Sequence, residues 1–153
     1  MIGHLQTNKV KYIIDKVSLI HSLDRLSLAE ELQKRASKLN ITVNALIQVN
    51  VAQEDSKFGL KVNEVIPFIK QIEEFNNIKI KGLMTVAPNV EDPEEVRWVF
   101  RDLRRLSEDI SKMNFNNVEM RFLSMGMTND YKVAIEEGSN MIRIGTGLFG
   151  KRN

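Results

Sequence analysis

The chain has 153 residues, 42% of them hydrophobic and 27% charged, with 22 basic and 20 acidic side chains, a formal net charge of +2 and no cysteine. That length suits about one domain, and the balance excludes wholesale disorder, a collagen-like repeat and a polybasic nucleic-acid or membrane footprint. Without cysteine there is no disulfide, thiolate nucleophile or cysteine zinc site, and no apolar run approaches the roughly 20 residues that span a bilayer.

The opening Met1-Ile-Gly-His-Leu-Gln segment lacks the basic region and apolar stretch of a secretory signal, so the expected compartment is the cytoplasm. A short helix is predicted over Lys9 to Ile14. Ser18–Ser22 reads as the first β-strand, and Asp24 as the cap of a helix from Leu26 to Leu39, with Leu28, Leu32, Arg35, Ala36 and Leu39 near one face. Asn44–Asn50 reads as the second strand. After a polar loop carrying Ser56-Lys57-Phe58-Gly59, the spacing of Val65, Ile66, Ile69, Ile72 and Phe75 predicts a helix over Asn63–Phe75. Ile80–Thr85 reads as the third strand. Pro93 fits the first turn of a long helix to about Lys112, which carries Val96, Val99, Phe100, Leu103, Leu106 and Ile110 at helical spacing. Glu119–Ser124 reads as the fourth strand. Asp130 then reads as the N-cap of a short helix through Glu137, closed by Gly138. Asn140–Gly145 reads as the fifth strand.

Strands alternating with helices every 30 to 35 residues or so argue for parallel βα units covered on both faces. No linker or composition break divides residues 1–153, so a single domain is expected. An open doubly wound sheet and a portion of a (β/α)₈ barrel both fit, since a complete barrel takes about 250 residues.

In parallel α/β proteins ligands gather at the carboxyl ends of the strands. Two successive strand ends here, Leu123-Ser-Met-Gly-Met-Thr128 and Arg143-Ile-Gly-Thr-Gly147, carry glycine beside hydroxyl residues. Gly126, Gly145 and Gly147 permit close backbone approach, and Ser124 and Thr146 supply hydroxyls, which is what a phosphate needs. The alternative is that these glycines only make turns. Arg143 stands in an otherwise apolar strand, where it either meets a ligand inside the fold or turns outward to a helix carboxylate. His21, Gln48, Asn50, Met84 and Thr85 lie near other strand ends. His21 reads as a hydrogen-bonded structural histidine and Lys57 as a solvated loop lysine rather than an amine nucleophile. Met84, Met120, Met125, Met127 and Met141 read as packing. No carboxylate pair has acid–base spacing, so no hydrolase is expected.

Together these strand ends resemble one family. Ile2-Gly-His-Leu-Gln-Thr-Asn-Lys9, Ile20-His-Ser-Leu-Asp-Arg25, Leu46-Ile-Gln-Val-Asn50, Ser56-Lys-Phe-Gly59, Gly82-Leu-Met-Thr85, Leu123-Ser-Met-Gly-Met-Thr-Asn-Asp-Tyr131, Ala134-Ile-Glu-Glu-Gly138 and Arg143-Ile-Gly-Thr-Gly-Leu-Phe-Gly150 are similar to segments of the pyridoxal phosphate homeostasis proteins, which share the alanine racemase N-terminal-like barrel. The resemblance implies a (β/α)₈ barrel, here its C-terminal portion from about strand 3 to strand 8, with pyridoxal 5′-phosphate (PLP) at its mouth. It implies that Ser124, Met125 and Gly126, with Gly145 and Thr146, hold the cofactor phosphate. Arg143 is implied to face the pyridine nitrogen and keep it unprotonated, which makes the ring a poor electron sink. It places His4 and Asn50 around the same cofactor. The implied role is non-catalytic, in the homeostasis of intracellular PLP and amino acids, and the full-length form is expected to be a monomer without nucleic-acid or membrane partners.

The family's Schiff-base lysine lies upstream of the Ile-Gly-His-Leu-Gln segment, and no lysine of this chain matches its motif. The sequence therefore reads as an N-terminally truncated member that binds PLP without the covalent bond. The competing readings are a PLP-dependent amino-acid racemase, which needs a second base commonly carried by a separate β domain, and an unrelated phosphate-binding barrel, which needs a catalytic carboxylate or lysine at a strand end.

Overall fold

A computed structural model describes residues 1–55 and 57–150. Ser56, part of one of the family-like segments, lies outside the described residues. Strands β1 (Ile20–Leu23), β2 (Val43–Gln48), β3 (Ile78–Met84) and β4 (Val118–Ser124) form one parallel sheet in sequence order. The helices are α1 (Val10–Ile13), α2 (Leu26–Leu39), α3 (Val62–Gln71), α4 (Arg97–Ser111), α5 (Tyr131–Glu136) and α6 (Thr146–Phe149). No helix among the described residues is long and apolar enough to cross a membrane.

The strand sequences explain the layering. All four residues of β1 and five of six in β2 are buried, as expected for strands covered on both faces. Helix α2 lays Leu28, Leu32 and Ala36 into the core. Helix α4 does the same with Val99, Phe100, Leu103 and Ile110. Helix α2 ends where the spacing places it. Asn40 takes a left-handed conformation (φ 52°), with Ile41 N–H bonded to the Ala36 carbonyl and Asn40 N–H to that of Ser37, which is a Schellman closure with asparagine in the usual glycine position. Gly138 (φ 101°) closes α5 in the same way, through Ser139 to Ala134 and Gly138 to Ile135.

Several expected boundaries shift. Asp24 does not cap α2. Its carboxylate accepts from Arg25 Nη1 at 2.6 Å, and the N-cap is Arg25, without a side-chain bond. Asp130 does stand at the N-cap of α5, but its carboxylate accepts from the Met127 N–H at 2.6 Å instead of making a side-chain cap bond. The long helix after Asp92 starts as a 3₁₀ turn over Pro93–Val96 before α4, with the Asp92 carboxylate accepting from Glu94 N–H and Pro93 in the first turn, where its missing N–H costs no bond. The expected strand over Asn140–Gly145 is reduced to one bridge, Met141 beside Ser124. Its partner strand ends there, since Gly126 (φ 95°) turns the chain away and leaves no further ladder.

Each of the three strand pairs carries a register irregularity, and the sheet bends. Between Ile80 and Gly82 the register slips, so that Ile80 opposes Val118 while Gly82 opposes Phe122. Gly82 has φ 145°, and a Cβ placed on it would lie 1.9 Å from the Phe122 carbonyl oxygen. Only glycine lets the two backbones come this close in a bulged pair. The bend shows in a side-chain contact between the outermost strands. His21 of β1 and Ser124 of β4 meet at 3.0 Å, whereas first and fourth strands of a flat sheet run about 14 Å apart. The sheet is therefore curled, with its concave side carrying both residues.

Gly82→Ala is expected to lower the unfolding free energy by about 3 kcal/mol, from a forbidden φ plus overpacking. Urea denaturation checks it; a loss under ~1 kcal/mol would mean that the strands re-register freely.

Candidate functional site

The polar residues of the concave side form one buried junction. Ser124 ends β4, where its hydroxyl is fully buried. Its oxygen accepts from Arg143 Nη1 at 2.8 Å and lies 3.0 Å from His21 Nδ1. Arg143 Nη2 donates to the Thr85 carbonyl at 2.8 Å, just past the end of β3. The Thr85 hydroxyl in turn donates to the Val49 carbonyl at 2.7 Å, past β2. The outward-facing reading of Arg143 is therefore overturned: it is 8% exposed and bonded to two neutral oxygens, not to a helix carboxylate.

Burial pushes the Arg143 guanidinium down from its ordinary pKa, and the nearby Asp130 carboxylate opposes this. Among the described residues no carboxylate lies within ion-pair distance of it. A guanidinium carries five N–H donors, so this one retains donors for a further acceptor. His21 is held down to about 4, first by burial and then by the positive charges of the Met1 amino group and Arg143. It is a neutral imidazole at pH 7.

Above the carboxyl ends of β3 and β4 opens a cleft of about 850 Å³, a size suited to a small-molecule ligand. Its walls are Val86–Asn89 after β3, Met127–Asp130 after β4, and Gly145, Thr146, Phe149 and Gly150 at and around α6. The two turns expected to be neighbours are neighbours: Thr146 Oγ1 lies 3.2 Å from Thr128 Oγ1, and Gly147 N–H donates to Thr128 Oγ1 at 3.1 Å. Among the described residues, the backbone N–H groups of Thr128, Gly145 and Thr146 have no partner. A Cβ at Gly145 would meet nothing within 4 Å, so the backbone there faces open space. Gly126 is glycine for a different reason. A Cβ there would lie 2.7 Å from that of Ala134, so it lets α5 pack down on the turn.

The expected residues thus divide into groups. Gly145 and Thr146 line the cleft. Ser124 and Arg143 lie in the junction, and Gly126 is buried beside it, its carbonyl accepting from Arg143 N–H at 3.0 Å. Met125 is fully buried, tied by its N–H to the Met141 carbonyl. Asn50 organises its own loop, donating to the Glu54 carbonyl at 2.9 Å and accepting from Glu54 N–H at 3.2 Å. His4 stacks on Phe58 with ring centroids 3.8 Å apart. Lys57 is not free in solvent. It pairs with Glu54 and donates to the Ala87 carbonyl at 3.0 Å, bridging two loops at the cleft wall. Met127 is not packing, being 42% exposed on the cleft wall. Thr128 was missed as a site residue. The signal was a second hydroxyl two residues beyond Gly126, beside that of Thr146.

Comparison with known proteins gives this geometry a family. Residues 1–153 match the family model described as alanine racemase, N-terminal domain. A pyridoxal phosphate homeostasis protein of Aquifex aeolicus is 51% identical over 151 residues, covering 99% of this chain and 65% of the relative. One of Synechocystis is 36% identical over 151 residues, covering 99% and 68%. PipY of Synechococcus elongatus, solved with PLP bound, superposes with a TM-score of 0.85 at 29% identity, covering 97% of this chain and 68% of PipY. The chain thus spans about two thirds of the length of the relatives it matches. It belongs to the alanine racemase N-terminal domain family and, within it, to the pyridoxal phosphate homeostasis proteins.

The folded pKa of His21 lies below its unfolded value of about 6.5, so between pH 6.5 and 4 the unfolded chain binds more protons. Its contribution to stability is complete above pH 6.5 and is lost as pH falls towards 4, by up to roughly 3 kcal/mol. Urea melts across this window should show the fall, and His21→Gln should flatten the part of the slope that histidine supplies. An imidazole NMR titration with its midpoint above 6 would contradict it.

Proposed function

With that membership as premise, we propose that this chain binds PLP non-covalently in the cleft over β3 and β4, and serves in the homeostasis of intracellular PLP and amino acids rather than in catalysis. The observation that carries the reading is the set of partnerless backbone donors on the cleft wall, with the buried Arg143 junction tied to Thr85 and Gly126, next to residues of that wall. The partnerless backbone N–H groups of Thr128, Gly145 and Thr146 call for an anion. The buried Arg143, bonded to two neutral oxygens, keeps donors to spare for a further acceptor, and a pyridine nitrogen is one. A phosphorylated pyridine supplies both, so the residues fit the cofactor.

In this reading Gly145, Thr146 and the Gly126–Thr128 turn hold the phosphate. Arg143, steadied by Ser124 and Thr85, donates to the ring nitrogen. His4 and Asn50 shape the far wall, Asn50 by fixing the 50–57 loop and His4 through its stack on Phe58. When bound, PLP supplies an electron-withdrawing ring and an aldehyde. A guanidinium donor cannot give the ring nitrogen a full proton, so carbanion chemistry gains little support and storage or delivery of the cofactor is the better use.

The curled sheet and the segment over residues 140–145 form consecutive staves of a (β/α)₈ barrel in this proposal, within one domain over residues 1–153. The full-length form works as a cytoplasmic monomer without nucleic-acid partners.

Titration of the chain with PLP, followed by absorbance, should reach one equivalent per chain. Thr146→Asp adds a carboxylate where the phosphate is placed, at an exposed position. It should weaken PLP by ~10-fold or more through like-charge repulsion, and leave unphosphorylated pyridoxal unaffected. No saturable binding, or equal PLP affinity in parent and variant, would refute the assignment.

A further inference from the structure

The cofactor reading needs Arg143 held in one place, and no carboxylate holds it. We propose that His21 is the positioning residue for Arg143, acting through the Ser124 hydroxyl. This rests on the proposed function only for its purpose. The hydrogen-bond geometry belongs to the chain itself.

The inference follows from counting protons at Ser124. A serine hydroxyl has one proton to give and two lone pairs. Arg143 Nη1 can only donate, so at 2.8 Å the Ser124 oxygen accepts from it. The hydroxyl proton must then go elsewhere, and the position is fully buried. His21 Nδ1, 3.0 Å away, is the other partner of this oxygen. If Nδ1 is bare, the Ser124 proton goes to it, and both the proton and the accepting lone pair of Ser124 are used. If Nδ1 carries a proton, two donors converge on the oxygen and the hydroxyl proton is stranded, at the cost of an unmade buried hydrogen bond.

The charges around His21 select the bare nitrogen. Arg143, joined to it through Ser124, is positive. Among the described residues no carboxylate lies within ion-pair distance of His21. An imidazolium there would be buried beside a cation with no counter-charge. The ring is therefore neutral with its proton on Nε2. The order of donation runs from Arg143 to Ser124 to His21, with each step fixing the orientation of the one before. A serine alone could rotate its lone pair away from Arg143. With its proton engaged by His21 on the opposite strand, that rotation breaks a bond. The second anchor, the Thr85 carbonyl, fixes the other Nη.

Nitrogen-15 NMR of the parent chain without cofactor reads the tautomer directly. An Nε2–H tautomer at pH 7 is expected, and an Nδ1–H tautomer or an imidazolium would overturn the proposal. Hydrogen exchange of the Arg143 guanidinium should quicken ~10-fold in His21→Leu, and stay within ~3-fold of the parent in His21→Gln, whose amide oxygen can accept the Ser124 proton. Equal exchange in His21→Leu and parent would also overturn it. These readouts need no PLP, so they hold whether or not the chain binds it. If it does bind, His21→Leu and Ser124→Ala should each lose about tenfold in PLP affinity and the double variant no more than either, because both break one chain of bonds. Additive losses would show that His21 and Arg143 act separately.

Discussion

The fold and the site both depend on a hydrogen-bonded junction that closes across the concave side of the sheet. Ser124 brings together His21 from the first strand and Arg143 from the segment beyond the last, and Arg143 reaches on to Thr85 after the third. Parallel strands set side by side keep their outer members far apart. Contact between β1 and β4 therefore requires strong curling, and the Gly82 bulge is where the β3–β4 register gives way to allow it. Curvature and polar contact support each other. Without the bend His21 would not reach Ser124, and without the contacts an arginine would stand buried and unpaired.

The chain carries two kinds of hydrogen-bond donor in two settings. One is a buried guanidinium held by neutral oxygens. The other is the backbone of two turns on the cleft wall that touch through Thr128 and Thr146. Backbone donors are rigid and carry no side-chain entropy. A carboxylate beside Arg143 would satisfy it internally and leave it nothing to offer. The loop clamp on the other side, with Lys57 reaching the Ala87 carbonyl and Asn50 threading the 50–57 turn, shapes the cleft wall without adding charge to that junction.

Much of this could be read from residue order. The apolar spacing of Leu28, Leu32 and Ala36 placed α2 at its observed limits, because an amphipathic face is a local signal. The glycine and hydroxyl residues after Leu123 and Ile144 marked the cleft for a local reason too: close backbone approach needs small residues. Local signals misled where a side chain had a choice of partner. Asp24 looks like a helix cap, yet Arg25 is the N-cap and takes its carboxylate, while Asp130 holds its N-cap position with its carboxylate on the Met127 N–H. The segment over residues 140–145 has the composition of a strand, but a ladder needs a partner of equal length, and β4 ends at the turn before Gly126.

The sequence by itself determined the α/β class, the order of the elements, the family and the two turns that wall the cleft, since each rests on periodicity, backbone-permissive residues or motif content within a few positions. Only the tertiary structure decided that Ser124 belongs to the buried junction rather than to the cleft wall, that Thr128 takes the place beside Thr146, and that His21 is a neutral partner of a residue 103 positions away. Those outcomes depend on which groups the curvature of the sheet brings within hydrogen-bond reach, and on how far burial shifts a proton, and neither is written in the spacing of residues along the chain.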